Sequence, residues 1–154
     1  MKNYLVIGNP IDHSLSPKLH NYWIKKKNIN AVYSKEELNS SDLKDLILRI
    51  KKKEICGVNV TVPFKKEIIS HLEKLSPKAK KTQSVNTIYL SNNEIVGDNT
   101  DIDGFEYAIR KINYDVVNKK VLILGAGGVV SSIIYALKKM GAFEIMVSNR
   151  TKEK

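Results

Sequence analysis

Apolar residues recur along this chain in two rhythms. Short runs rich in β-branched residues alternate with segments whose apolar side chains fall three and four residues apart. The first rhythm predicts strands, the second helices with one buried face. Tyr4-Leu5-Val6-Ile7-Gly8 predicts a first buried strand. After a Gly- and Pro-containing loop, Ser16 predicts an N-cap with Pro17 at the first helical position. Leu19, Tyr22 and Trp23 then fall at core spacing. Asn30-Ala31-Val32-Tyr33-Ser34 predicts a second strand, and Ser40 or Ser41 caps a helix with Leu43, Leu46, Ile47 and Ile50 on one face. Next comes an apolar stretch, Gly57-Val58-Asn59-Val60-Thr61-Val62. As a strand it puts the three valines on one face and Asn59 and Thr61 on the other. Pro63 breaks it into a helix-like run, Phe64 to Ile69.

Ser76-Pro77 opens a short basic helix ending near Thr82. Val85 to Leu90 and Glu94 to Gly97 predict a hairpin around Asn92-Asn93, a pair suited to a primed turn. Phe105, Ile109 and Ile112 mark the apolar side of a further helix. Val121-Leu122-Ile123-Leu124 predicts a strand running into Gly125-Ala126-Gly127-Gly128, followed by a helix bearing Ile133, Ile134, Ala136, Leu137 and Met140. Glu144 to Ser148 predicts a last strand. Repeated alternation of strand and helix argues for an α/β fold with a mostly parallel sheet covered by helices. The final strand, glycine turn, helix and strand form the opening of a dinucleotide-binding fold.

Composition narrows the partners. At 42% hydrophobic and 27% charged residues, the chain reads as globular. No apolar run approaches the ~20 residues of a membrane span, so no membrane partner is expected. Met1 to Gly8 is too short and strand-like for a signal peptide. The one cysteine, Cys56, excludes an internal disulfide and fits a reducing cytoplasm. Its apolar setting predicts a buried, inert thiol. The net charge of +10 is nearly all lysine, the arginines being only Arg49, Arg110 and Arg150. Runs such as Lys25-Lys26-Lys27 and Lys51-Lys52-Lys53 read as solvated helix faces. With no arginine stripe, RNA-binding aromatic motif or zinc-finger spacing, nucleic acid is not an expected partner.

Several polar residues fall where α/β sheets bind ligands, at the carboxyl ends of strands. Asn59 and Thr61 interrupt an otherwise apolar strand. Lys65 falls in the first turn of the next helix, where the dipole disfavours a cation. The residues alone leave open whether it is a solvated lysine or a working one. Ser14 and Ser16 are hydroxyls beside a helix N-terminus, suited to a carboxylate, and His13 reads as a loop anchor. Asp98, Asp101 and Asp103 cluster before a helix that one of the local polar residues caps, but the spacing of a Ca²⁺ loop is absent and no metal is expected. Gly125 allows a tight turn and Gly127 lets backbone approach a pyrophosphate. Arg150, between Asn149 and Thr151, stands where an NAD site carries an acid, which favours the 2′-phosphate of NADP.

These stretches together resemble shikimate dehydrogenase, an NADP-dependent family of aromatic amino-acid biosynthesis. The matching residues are Gly8 to Pro17, Asn59 to Lys65, Val85-Asn86-Thr87, Gly97 to Gly104, Gly125 to Gly128 and Asn149-Arg150-Thr151. The resemblance implies a shikimate-binding catalytic domain over residues 1–100 and the start of an NADP-binding Rossmann domain over 101–154. It implies that Lys65 and Asp101 are the catalytic pair. Ser14 and Ser16 would hold the substrate carboxylate, with Asn59, Thr61 and Asn86 around the ring hydroxyls. Gly125, Ala126, Gly127, Gly128, Asn149, Arg150 and Thr151 would hold NADP. The implied reaction is reversible reduction of 3-dehydroshikimate to shikimate, on the route to chorismate. A homodimer is left open as the assembly.

The chain departs from the family pattern at Gln83-Ser84, where Gly-Ala is usual, and at Val129-Val130, where alanine is commoner. It also stops at Lys154, after the second strand of the cofactor domain. The expectation is a piece of a longer product that binds NADP weakly by itself. A quinate/shikimate dehydrogenase and a non-catalytic ligand-binding module are the competing readings.

Overall fold

The computed structural model describes residues 1–151. In chain order the elements are β1 (Lys2–Gly8), α1 (Ser16–Lys26), β2 (Ala31–Glu37), α2 (Leu43–Lys51), β3 (Gly57–Val60), α3 (Phe64–Glu67), β4 (Lys74–Leu75), α4 (Pro77–Thr82), β5 (Thr87–Ser91), β6 (Glu94–Asp98), α5 (Asp101–Lys111), β7 (Lys120–Leu124), α6 (Val130–Lys139) and β8 (Glu144–Ser148). Turns of 3₁₀-helix precede α2 and follow α3.

Six strands form one sheet in the order β2-β1-β3-β5-β6-β4. β1 runs parallel to β2 and β3, and β4 parallel to β6, while β5 is antiparallel to both its neighbours. β7 and β8 form a separate parallel pair. The mostly parallel α/β fold of the sequence is thus present. One face of the large sheet buries Leu5, Ile7, Val58, Val60 and Ile88 against Leu43, Leu46 and Ile50 of α2 and Phe64 of α3. This is the α2 face that the spacing predicts. The hairpin also forms as expected, with Asn92 and Asn93 both at positive φ.

The lysines have a structural place. α1, α2, α4, α5 and α6 each carry two basic residues in the last turn, where they complement the dipole.

Several expectations give way. Neither Ser40 nor Ser41 caps α2, whose N-cap is Asp42, and Ile112 lies past the end of α5 and is 69% exposed. Leu19, Tyr22 and Trp23 do not face the core; they are 48%, 58% and 48% exposed. The opposite side of α1 docks instead. Asn21 accepts from the Tyr33 N–H at 3.0 Å and donates to the Tyr33 carbonyl at 2.7 Å. β2 is the edge strand, so these backbone groups have no strand partner and the amide supplies one. His20 stacks on the Tyr33 ring at 4.2 Å. This polar anchoring turns the apolar triplet outward.

Ser16 does not cap α1: it is the first helical residue, and its N–H donates to Ser14 Oγ at 3.3 Å. β3 ends at Val60, two residues early, and Val62 is 58% exposed. Its carbonyl accepts from the Asn9 N–H at 3.0 Å, tying the loop after β1 to the turn after β3. Two smaller departures concern Cys56, which is half-buried, and His13, which is exposed in a turn with no ring hydrogen bond to another described residue.

Gly8 lies at this junction of loops. A Cβ there would come within 2.7 Å of Thr61 Cγ2 and 3.0 Å of the Val62 carbonyl. Gly8→Ala should therefore destabilise the fold by about 1–3 kcal/mol, the cost of overpacking a tight site. Urea unfolding measures it, and an unchanged midpoint would contradict the contact.

Candidate active site

β1, β3 and β6 point the same way, so their carboxyl ends share one edge of the sheet with the start of β5. Four stretches meet there: the loop after Gly8, the turn from Thr61 to Lys65, Asn86-Thr87, and Asp98 to Asp101. Lys65 reaches Asp101, with Nζ 2.7 Å from Oδ2. Their side chains are 15% and 22% exposed, so the pair is largely shielded yet open to one side. Asp101 opens α5, where the dipole favours a carboxylate.

The other oxygen of Asp101 accepts from Asn86 Nδ2 at 2.8 Å. Asn86 Oδ1 in turn accepts from the Thr100 N–H at 2.9 Å and the Thr87 hydroxyl at 3.0 Å. Backbone bonds lock this residue in place: the Asn86 N–H donates to the Asp98 carbonyl, and its own carbonyl accepts from the Val60 N–H. Asn59 donates to Thr87 Oγ1 and to the Asn86 carbonyl, each at 3.2 Å. Lys65, Asp101, Asn86 and Asn59 are thus joined in one hydrogen-bonded set. Ser14, Ser16 and Thr61 are half-buried on the same edge, but no side-chain bond between described residues links them to that set.

The other two acids have structural partners. Asp98 accepts from the Ser76 hydroxyl and from the Asn99 N–H at 2.8 Å. Asp103 faces Lys78, and that bond holds the Lys78 pKa above its ordinary value. Among the described residues, no group of three or more His, Cys, Asp or Glu side chains could hold a metal. Nor is any helix long and apolar enough to cross a membrane.

The glycine turn faces this edge across a cleft of about 650 Å³, whose walls include Lys65, Ser84, Gly127, Ser131 and Val147. Gly125 holds φ at +102°, which side chains avoid, and its N–H donates to the Ser148 carbonyl at 2.7 Å. Over Gly127 and Gly128 a Cβ would meet nothing within 4 Å, so the backbone is bare toward the cleft. At the opposite wall Ser84 is buried, and its hydroxyl has no partner among the described residues. Bare backbone, a helix N-terminus and an unpaired hydroxyl together fit a phosphate-bearing dinucleotide. Asn149 accepts from the Ala126 N–H at 3.2 Å and donates to the Thr151 carbonyl at 2.7 Å. Arg150 and Thr151 are exposed at the end of β8.

The sequence did not single out Asn99, which is fully buried where the two sheets' units meet. Its Oδ1 accepts from the Asp101 N–H at 3.1 Å, at the first residue of α5, whose N-cap position, Thr100, makes no side-chain cap bond. Its Nδ2 lies 2.8 Å from the Ser84 carbonyl and 2.9 Å from Ser132 Oγ of α6. One amide thus joins this edge of the sheet to the helix that follows the glycine turn. The Glu106–Lys139 pair at 2.9 Å adds a second tie between α5 and α6. Tyr33 and Ser132 were also unmarked, since each works through a partner distant in sequence; Thr87 lies in the Val85-Asn86-Thr87 motif, which assigns it no role. Only the dense polar run around Asn99 gave a local signal.

Asn99→Ala should lower stability by about 1–3 kcal/mol by stranding buried polar groups, seen as a lower urea midpoint. A change below about 0.5 kcal/mol would mean that the junction does not depend on it.

The site can be set beside known proteins. The shikimate dehydrogenase substrate binding domain matches residues 6–88, and the shikimate / quinate 5-dehydrogenase family matches residues 106–154. A shikimate dehydrogenase (NADP(+)) of Pelagibacter ubique is 61% identical over 153 residues, covering 99% of this chain and 58% of that protein. The crystal structure of shikimate dehydrogenase from Aquifex aeolicus superposes with a TM-score of 0.92 at 42% identity, over 99% of this chain and 57% of the other. Shikimate 5-dehydrogenase from Thermus thermophilus, solved in complex with NADP(H) and shikimate, superposes with a TM-score of 0.89 at 30% identity, over 99% and 57%. The chain therefore spans somewhat more than half the length of the relatives it matches. With sequence matches on both sides of the cleft and superposition along nearly its whole length, the chain belongs to the shikimate dehydrogenase family.

Proposed function

We propose that the protein is an NADP-dependent oxidoreductase that interconverts 3-dehydroshikimate and shikimate in the biosynthesis of chorismate and aromatic amino acids. The observation that carries this reading is the 2.7 Å contact between Asp101 and Lys65, which lines the cleft. Residues 1–100 serve as the substrate-binding catalytic domain and residues 101–154 open the NADP-binding domain.

In this reading the hydroxyls of Ser14 and Ser16 hold the substrate carboxylate. Thr61, Asn59 and Asn86 surround the ring hydroxyls, the two amides being held by their internal bonds. NADP(H) would lie along Gly125, Ala126, Gly127 and Gly128, with Asn149, Arg150 and Thr151 toward its 2′-phosphate, and it supplies the hydride exchange. As the substrate carbonyl is reduced, its oxygen gains charge. Lys65 stabilises that charge and donates the proton from Nζ; in the reverse direction it takes the proton back. Asp101, pinned at both oxygens, orients Lys65 and accepts from a neighbouring hydroxyl. The protein acts in the cytoplasm, consistent with the free Cys56, and self-associates as a homodimer.

The test is shikimate-dependent NADP⁺ reduction by a protein carrying this chain and continuing through the length of its relatives, with quinate as competing substrate. Activity should fall about 10²–10⁴-fold in Lys65→Ala, the usual contribution of a positioned proton donor. Full activity of Lys65→Ala, or quinate turnover exceeding that of shikimate, would overturn the reading. Light scattering on the same preparation should give a dimer mass, and a monomer would remove the homodimer.

A further inference from the structure

The hydrogen bonds behind the Lys65–Asp101 pair do not end at Asn86. They continue across the sheet to a tyrosine on the far edge. The Tyr33 hydroxyl donates to Asn59 Oδ1 at 2.7 Å. Asn59 Nδ2 donates to Thr87 Oγ1 at 3.2 Å, and the Thr87 hydroxyl donates to Asn86 Oδ1 at 3.0 Å. Asn86 Nδ2 then donates to Asp101 Oδ1 at 2.8 Å. All the donors point the same way, from Tyr33 toward the carboxylate. In such a chain each bond polarises the next, and the negative charge at its end is the natural sink.

We propose that Tyr33 and Thr87 are positioning residues, which orient the Asn59 and Asn86 amides and through them fix the Asp101 carboxylate that faces Lys65. This inference rests on the reading of Lys65 and Asp101 as the catalytic pair.

Three features support it. An asparagine amide has two ends of similar shape, so only its partners decide its orientation. With the Tyr33 hydroxyl donating, Asn59 must present its oxygen to β2 and its NH₂ to β5. Turned over, its oxygen would face the Asn86 carbonyl, acceptor against acceptor. Thr87 adds the same constraint to Asn86, beside that of the Thr100 N–H at 2.9 Å, because its single proton goes to Oδ1 once Asn59 Nδ2 occupies its oxygen. The Tyr33 phenol is also a dependable donor. It is 5% exposed beneath the stacked His20 ring, and burial raises its pKa to about 12. Burial also lowers the pKa of His20.

Tyr33→Phe keeps the ring, its stacking and the backbone bonds to Asn21 while removing one hydroxyl. Thr87→Val keeps the β-branched shape and cuts the chain in the middle. Thr87→Ser restores a hydroxyl there. In the 154-residue chain, solvent exchange of the Asn86 side-chain amide protons, followed by NMR, should quicken in Tyr33→Phe and Thr87→Val and return toward wild type in Thr87→Ser. In the protein that turns over shikimate, the first two variants should lower kcat about two- to tenfold, the size of one neutral hydrogen bond, with KM for NADP⁺ unchanged. Thr87→Ser should recover most of the loss.

Unchanged Asn86 exchange in a folded Tyr33→Phe or Thr87→Val chain would overturn the proposal. So would failure of Thr87→Ser to restore it, or a kinetic loss confined to KM. The exchange measurement needs no turnover. Perturbed Asn86 exchange in a protein inactive on shikimate would therefore sink the assigned reaction and leave the relay standing.

Discussion

The Asp101 carboxylate is held at both oxygens, by the Lys65 ammonium on one side and the Asn86 amide on the other. Most of the architecture serves this arrangement. A carboxylate and an ammonium in a shielded cleft require partners of good geometry to offset their lost hydration. The fold supplies them from separate elements. Lys65 comes from the turn after β3, Asp101 from the start of α5, and Asn86 from the residue that bridges β3 and β6 through its backbone. The Val85 N–H also donates to the Lys65 carbonyl at 2.8 Å, so the lysine's backbone is tied to the segment that carries Asn86. Cutting any of these ties moves one partner of the pair relative to the other.

The same edge is coupled to the glycine turn. Asn99 touches the first N–H of α5, the carbonyl beside the unpaired Ser84 hydroxyl, and Ser132 on α6. A buried amide with several polar partners is costly to move, because each would be left unsatisfied. This explains why a two-stranded unit with Leu122, Leu124 and Met146 exposed on β7 and β8 keeps a defined position beside the larger sheet. Beside the cleft, these polar bonds act together with the buried Ile102 of α5 and Ala136 and Leu137 of α6.

Much of the fold was legible because the apolar periodicity is local. The α2 face, the Asn92-Asn93 hairpin and the β7–α6–β8 unit follow from neighbouring residues alone. The reading of α1 failed for the opposite reason. Leu19, Tyr22 and Trp23 have core spacing, but Asn21 finds the open backbone of Tyr33, a partner twelve residues away. Polar docking of an edge strand overrode the apolar pattern. The site shows the same division. Lys65 and Asp101 were visible in motifs, whereas Tyr33 looked like an ordinary strand residue because its partner Asn59 is 26 residues distant. Ser16, expected to cap, lends only its N–H, to Ser14.

The most direct measurement is a crystal structure with shikimate and NADP⁺ bound. The account predicts a ring hydroxyl within about 3 Å of Lys65 Nζ, hydrogen-bond reach for proton transfer, with Asp101 still bonded to Asn86. It places the substrate carboxylate at Ser14 and Ser16 and the cofactor phosphates over Gly127 and Gly128. Shikimate bound away from Lys65, or an Asp101 carboxylate swung off Asn86 in the complex, would contradict it.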